Sequence, residues 1–299
     1  MLLILKKYNF ILSVISISIL ACTSAVVHAT NFTIDQFTVT KNGNPFFEDT
    51  FSNGNPNDTG TNRTYFTIPD PLSGPETNGR LEINPYDGVI RASPLTGEDL
   101  YIQRARLRTN LDNDNLNSGL KVDDTFSVRG LFDLTLPTQF RERFGVRLVD
   151  YAAINPAPND VVEVAVRKKN EGIFVEFREH DVLNSSFNVF ENIELTYASL
   201  GLPEDIFSMY DQIALKLERT ATDGDIFGSF SLVDSTGGES DFLYNFTGSS
   251  KIFEGENYTR AEFITTAPVV SSSVPESSTL FLLVIGLLGL FAKGFGNNV

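Results

Sequence analysis

The stretch "YDQIALKLERTATDGDIFGSFSL", Tyr210–Leu232, holds two runs in which apolar residues take every second position, separated by a short polar segment. Ile213, Leu215 and Leu217 fall on one face of the first run, because successive side chains of a strand point to opposite sides. A helix would need apolar residues three and four apart, so this spacing reads as a strand with one buried face. Thr220–Ile226 carries Asp223-Gly224, a pair of the kind that two-residue hairpin turns demand. The stretch is therefore a β-hairpin.

Outward from it, the same alternation recurs from Asn31 to about Thr266, broken by Gly, Pro, Asn and Asp. In "TFSVRGLFDLTL" the apolar face is Phe126, Val128, Phe132, Leu134 and Leu136; in "FGVRLVDY" it is Phe144, Val146 and Leu148. Val162, Val164 and Val166 follow, then Ile173, Val175 and Phe177 after the turn "KKNEG" (Lys168–Gly172), and later Phe242, Tyr244 and Phe246. Each strand is expected to bury one face and wet the other. One short helix is expected at Pro203–Tyr210, where Pro opens a turn and Glu204 and Asp205 sit at its positive end.

Short strands, one short helix and long polar loops within one segment predict an all-β fold, a two-sheet antiparallel sandwich of jelly-roll type. A helix is expected at each end of it, one at the N-terminus and one, apolar, at the C-terminus. An outer-membrane barrel also alternates, but here bulky Phe, Leu and Val take one face and charges such as Arg104, Arg106 and Arg108 the other, which lipid would not tolerate. The 299 residues include 25 Phe and 9 Tyr but no Trp and 2 Met, so the core must be built on phenylalanine.

The N-terminus places Lys6 and Lys7 before an apolar segment, Tyr8–Ala21, and small residues up to Ala29. This reads as a secretory signal peptide, residues 1–29, cut after Ala29. The alternative is "ILAC", Ile19–Cys22, which resembles a bacterial lipoprotein box with Cys22 lipidated, although Leu20 is unusual there. With the cut after Ala29 no cysteine remains and His180 is the only imidazole, which excludes disulfides, thiolate nucleophiles and multi-histidine metal sites. The formal net charge of −15 becomes −17 over residues 30–275, and such a surface repels nucleic acid.

Residues 267–275 lose all periodicity and are rich in Ser and Pro, as a flexible linker is. An apolar run follows. Leu280, Phe281, Leu282, Leu283, Val284 and Ile285 lead it, and Leu287, Leu288, Leu290 and Phe291 continue it around Gly286 and Gly289 to Lys293. A membrane helix over about 279–293 is shorter than the ~20 residues that comfortably span a bilayer. The order of parts is more specific: Val274, Pro275, Glu276 and Ser277, then the apolar helix, then Lys293.

That order, over residues 274–299, resembles the PEP-CTERM sorting signal of bacterial envelope proteins, in which a Pro-Glu-Pro motif precedes a membrane helix and a basic tail. Ser277 stands where the motif has its second Pro, and one Lys replaces an arginine cluster. The resemblance implies export, transient inner-membrane anchoring, recognition at Pro275-Glu276 by an exosortase, and delivery to the cell surface or extracellular matrix. Lys293 would stay on the cytoplasmic side. Residues 30–266 resemble the concanavalin A-like and laminin-G-like jelly rolls, through "NPFFEDTFSNGNP" (Asn44–Pro56), "NGRLEINP" and the hairpin quoted first. By that analogy the domain is expected to associate with polysaccharide.

No catalytic residues are expected. Jelly-roll glycosidases carry Glu-x-Asp-x-x-Glu on one strand, and the nearest run here is "VEFREHD", where Glu176 and Glu179 fall on opposite faces. They read as solvated strand charges, and His180 as a surface histidine at a strand end. The remaining alternatives are a secreted carbohydrate-active enzyme and a purely structural surface protein. No cofactor is expected; the one cation the sequence suggests is Ca²⁺, at Asp112 and Asp114 in "DNDNLNSG", with Asp123 and Asp124 nearby, although Leu116 stands where a third ligand is wanted. Six Asn-x-Ser/Thr sites, Asn31, Asn62, Asn184 and Asn245 among them, read as products of Asn/Thr-rich loops.

Overall fold

The computed structural model describes residues 31–52, 65–68, 79–87, 89–92, 101–110, 120–121, 123–150, 160–181, 186–202, 209–222, 224–234, 242–251 and 258–268. The expectations for Cys22, Ala29, Asp112, Asp114, Pro203–Ser208 and the whole sorting segment from Val274 to Lys293 lie outside these residues. Among the described residues no helix is long and apolar enough to cross a membrane.

Among the described residues fifteen strands form two sheets, all their described pairings antiparallel. The first sheet contains β1 (Phe32–Lys41), β2 (Asn44–Asp49), β4 (Leu81–Ile83), β7 (Phe126–Asp133), β12 (Gln212–Arg219), β13 (Ile226–Val233) and β14 (Phe242–Ser250). Their order is β14-β13-β12-β7-β1-β2, with β4 also on β1. The second contains β3 (Tyr65–Ile68), β5 (Val89–Ala92), β6 (Tyr101–Asn110), β8 (Arg143–Asp150), β9 (Val161–Lys168), β10 (Ile173–Asp181), β11 (Ser186–Glu194) and β15 (Tyr258–Pro268). Its order is β11-β10-β9-β8-β15-β6-β3, with β5 also on β6.

The alternation places the inner faces as expected. Along β7, Phe126, Val128 and Phe132 are buried, and Leu134 and Leu136, just past the strand, pack partly buried against the same core. Rings from the two sheets interlock: Phe144 of β8 lies 4.9 Å from Phe32 of β1 and 5.0 Å from Phe132 of β7, and Phe263 of β15 lies 5.6 Å from Phe37 of β1. Each such buried ring contributes on the order of 1.5–3 kcal/mol. The sheets approach so closely at Gly228 of β13 that a Cβ there would meet the Phe177 ring of β10 at 2.7 Å.

Three details differ from the sequence reading. β12 ends at Arg219 and β13 begins at Ile226, so the two strands are further apart in sequence than a two-residue turn would leave them. A helix the sequence reading did not expect, α1 (Tyr197–Leu200), comes before the proline of "PEDIFSMY"; the Thr196 side chain caps it by accepting from the Ser199 N–H at 3.2 Å, and Gly201 closes it at φ 66°, while of the helix expected at Pro203–Tyr210 the described Met209 is helical. The third is larger. On β8, β9 and β10 both faces are buried, so the expectation of one wet face fails there.

Candidate functional site

The outer face of β8, β9, β10 and β15 carries charge where a solvated face was expected. Glu262 pairs in register with Arg147, Arg147 with Glu163, and Glu163 with Arg178, so acid and base alternate across four neighbouring strands. Arg108 of β6 holds the next register position beyond Glu262. Opposite charges directly across an antiparallel pair attract, and here they do so out of water. Arg147 Nε donates to Glu262 Oε2 at 2.6 Å and its NH2 also contacts that oxygen; Arg178 NH2 donates to Glu163 Oε1 at 2.9 Å.

Glu176 was expected to be a solvated charge, and it is 1% exposed. Its carboxylate meets Lys169 Nζ at 2.7 Å, Arg178 NH1 at 3.5 Å and Arg167 NH1 at 3.6 Å. A carboxylate takes such a place only with partners, since an unpaired buried charge costs several kcal/mol. Glu179, as expected, points the other way: its Oε2 accepts from Ser250 Oγ of β14, in the opposite sheet, at 2.7 Å. His180 ends β10 half-buried, 6.4 Å from the Phe187 ring, and burial lowers its pKa against the pull of Asp160 and Asp181.

At one end of this face the alternation breaks. Arg143 of β8 stands directly across from Arg167 of β9, like charge against like. Burial pushes the Arg143 guanidinium below its usual pKa, Glu163 opposes that, and Arg167 and Arg147 add to it. The turn entering β8 is held from inside by Glu142, 0% exposed, which accepts from the Thr138 and Gln139 N–H groups at 2.8 and 2.9 Å and from Tyr86 Oη at 2.9 Å. Burial and Glu142 raise the Tyr86 pKa well above the usual tyrosine value. Arg141 in this turn has φ 73°, and its guanidinium lies 4.9 Å over the Phe140 ring.

A second cluster lies on the outer face of the other sheet. Asp35 sits where the β1–β7 register shifts, and such bulges re-aim side chains. Arg80 reaches Asp35 at 3.4 Å and Asp133 at 3.3 Å, and Gln212 Nε2 donates to Asp35. Burial and then the Asp133 charge push Asp35 up to about 6, beyond what Arg80 and Gln212 pull back. A carboxyl near that value beside a second carboxylate is one arrangement for acid–base chemistry.

Of the expected metal ligands, Asp124 is engaged otherwise. It takes Lys41 Nζ at 2.7 Å, Asn42 Nδ2 at 2.8 Å and the Lys121 N–H at 2.8 Å, and although burial opposes ionisation these contacts lower its pKa. Among the described residues no group of three or more His, Cys, Asp or Glu could hold a metal ion.

The fold thus defines an all-β protein, two antiparallel sheets packed face to face, with a covered charge ladder on one outer face. The chain matches no protein-family model and no curated protein sequence.

Proposed function

We propose that the chain is an exported envelope or extracellular-matrix protein, sorted by a C-terminal PEP-type signal, whose sandwich is a concanavalin A-like jelly roll that associates with polysaccharide without catalysing a reaction. The observation that carries the sorting half is the order Val274-Pro275-Glu276-Ser277, apolar run, Lys293. The neighbours that are not consecutive in sequence, β7 beside β1 and β15 between β8 and β6, support a jelly-roll connectivity. A secretory signal ending at Ala29 would deliver the domain outside, and an exosortase-type enzyme would act at Pro275-Glu276.

In its native host, Pro275→Ala with Glu276→Ala should trap a full-length membrane species. Mature mass and location unchanged from wild type would remove the sorting assignment. Affinity electrophoresis of the full chain through neutral and acidic polysaccharides tests the binding half, and unretarded migration in all of them would remove it.

A second reading, a carbohydrate-active enzyme, is favoured by one observation, the Asp35–Asp133 pair with Asp35 at about 6. Release of reducing ends by wild type, abolished in Asp133→Asn, would establish it. Equal release by both proteins, or none by either, would dismiss it.

A further inference from the structure

Two exposed residues make the turn between β1 and β2, Asn42 at φ 51° and Gly43 at φ 76°. Asn-Gly is the pair that such a turn selects, because both positions need the left-handed region. It is also the pair in which an asparagine side chain is chemically most vulnerable. A glycine has no Cβ to keep its backbone nitrogen away from the preceding Cγ, and even a Cβ built on Gly43 would meet nothing within 4 Å.

The fold holds this carboxamide by both of its ends. Asn42 Nδ2 donates to Asp124 Oδ1 at 2.8 Å, and Asn42 Oδ1 accepts from the Thr125 N–H at 2.9 Å and from Thr125 Oγ1 at 3.3 Å. The Asn42 N–H donates to the Thr125 carbonyl at 2.8 Å, so backbone and side chain both grip the residues just before β7. Asp124 is fixed in turn by Lys41 Nζ at 2.7 Å and the Lys121 N–H at 2.8 Å. An ionised acceptor makes the bond from Asn42 a charge-assisted one.

For the Gly43 nitrogen to reach Cγ, the carboxamide must swing away from β7, and its bonds to Asp124 and Thr125 must break first. The products would not fit the same place. Aspartate at position 42 would set a second carboxylate against Asp124, and isoaspartate would add a backbone methylene to a turn that closes in two residues.

We propose that Asn42 is a site of spontaneous deamidation, that the clasp of Asp124 and Thr125 holds the reaction off, and that conversion, once made, unseats the β1–β2 turn from β7. In that step the Gly43 nitrogen attacks Asn42 Cγ, the bond from Cγ to Nδ2 breaks, and Nδ2 leaves as ammonia with the proton that the Gly43 nitrogen gives up. Water then opens the cyclic imide at one carbonyl or the other, giving aspartate or isoaspartate. The step requires nothing of the sorting or polysaccharide readings.

The test is peptide mapping of the full chain by tandem mass spectrometry after ageing at neutral pH, folded and in urea. Asn53-Gly54, another Asn-Gly pair of the same chain, is the internal reference. In urea Asn42 and Asn53 should convert at similar rates, and in the folded wild type Asn42 should convert about tenfold more slowly than in urea. Asp124→Ala should speed conversion of Asn42 in the folded chain about tenfold and leave Asn53 as in wild type. Equal rates at Asn42 in folded and unfolded wild type would overturn the proposal, and so would a wild-type rate in folded Asp124→Ala. Acceleration shared by Asn53 would also overturn it, because that marks loss of the fold rather than opening of the clasp. Should Asp124→Ala fail to fold, Asp124→Asn, which keeps an acceptor oxygen without the charge, should give a smaller acceleration confined to Asn42, and none would count against the clasp. Asn42→Asp, the product itself, should lower the urea midpoint, and a midpoint equal to wild type would remove the unseating of the turn.

Discussion

Glu262 of β15 and Arg147 of β8 stand opposite each other in the ladder, and the carboxylate receives the guanidinium Nε at 2.6 Å with both residues at 5% exposure or less. Desolvating two ions costs several kcal/mol each, which their attraction offsets only while both are present. Glu262→Gln should therefore lower the unfolding free energy by about 3–5 kcal/mol. Arg147→Met combined with Glu262→Leu should recover most of that loss. Chemical denaturation of wild type, Arg147→Met, Glu262→Leu and their double variant measures the coupling, and additive losses would contradict a linked pair.

Asp35 is a different case, because its folded state resists ionisation. Its folded pKa of about 6 lies above the ordinary 3.8, so its stabilising contribution is complete below about pH 4 and is lost as pH rises through 6. Asp35→Asn should stabilise the protein at neutral pH by roughly 1–2 kcal/mol, once solvent screening is allowed for, and change little in strong acid. Thermal unfolding across that pH range reads the effect; a difference that does not vary with pH would point to packing instead.

Glu191 joins the edges of the two sheets. From β11 its carboxylate accepts from Tyr244 Oη at 2.5 Å and from the Thr247 N–H and Oγ1 of β14 at 2.7 and 2.8 Å. Burial opposes the charge, but these bonds hold its pKa below the ordinary 4.5, and the bond from Tyr244 helps push that phenol up to about 12. The stabilisation is present above the unfolded pKa and disappears as pH falls through the folded one. Glu191→Gln should cost about 1 kcal/mol near neutrality and nothing in strong acid. Faster hydrogen exchange at the Thr247 amide would locate the loss; unchanged exchange would show that the edge closes without it.

Gly228 is set by the distance between sheets. An alanine Cβ would fall 2.7 Å from the Phe177 ring and 2.8 Å from Val164 Cγ2, so Gly228→Ala should destabilise by about 1–3 kcal/mol. Phe177→Leu in the same chain should relieve part of the clash. Urea midpoints of the two single variants and the double variant decide it, and a Gly228→Ala midpoint equal to wild type would mean that the sheets separate freely there.

Strand content and inner faces were legible because both are local. Alternation alone places Phe144, Val146 and Leu148, or Val162, Val164 and Val166, on a buried side. The short turn Lys169–Gly172 also sets the β9–β10 register, from which the pairing of Glu163 with Arg178 follows. What alternation cannot show is whether the second face meets water. Glu176 and Arg178 have the pattern of solvated charges and are buried, because burial depends on what the rest of the chain lays over them. Nor could local spacing bring Glu262 to Arg147, 115 positions apart, since that depends on β15 lying between β8 and β6. The sequence by itself determined the strands, their apolar sides and the order of motif, apolar run and lysine that resembles a sorting signal. The tertiary structure decided which charges face one another out of water, since that depends on which distant strands lie side by side.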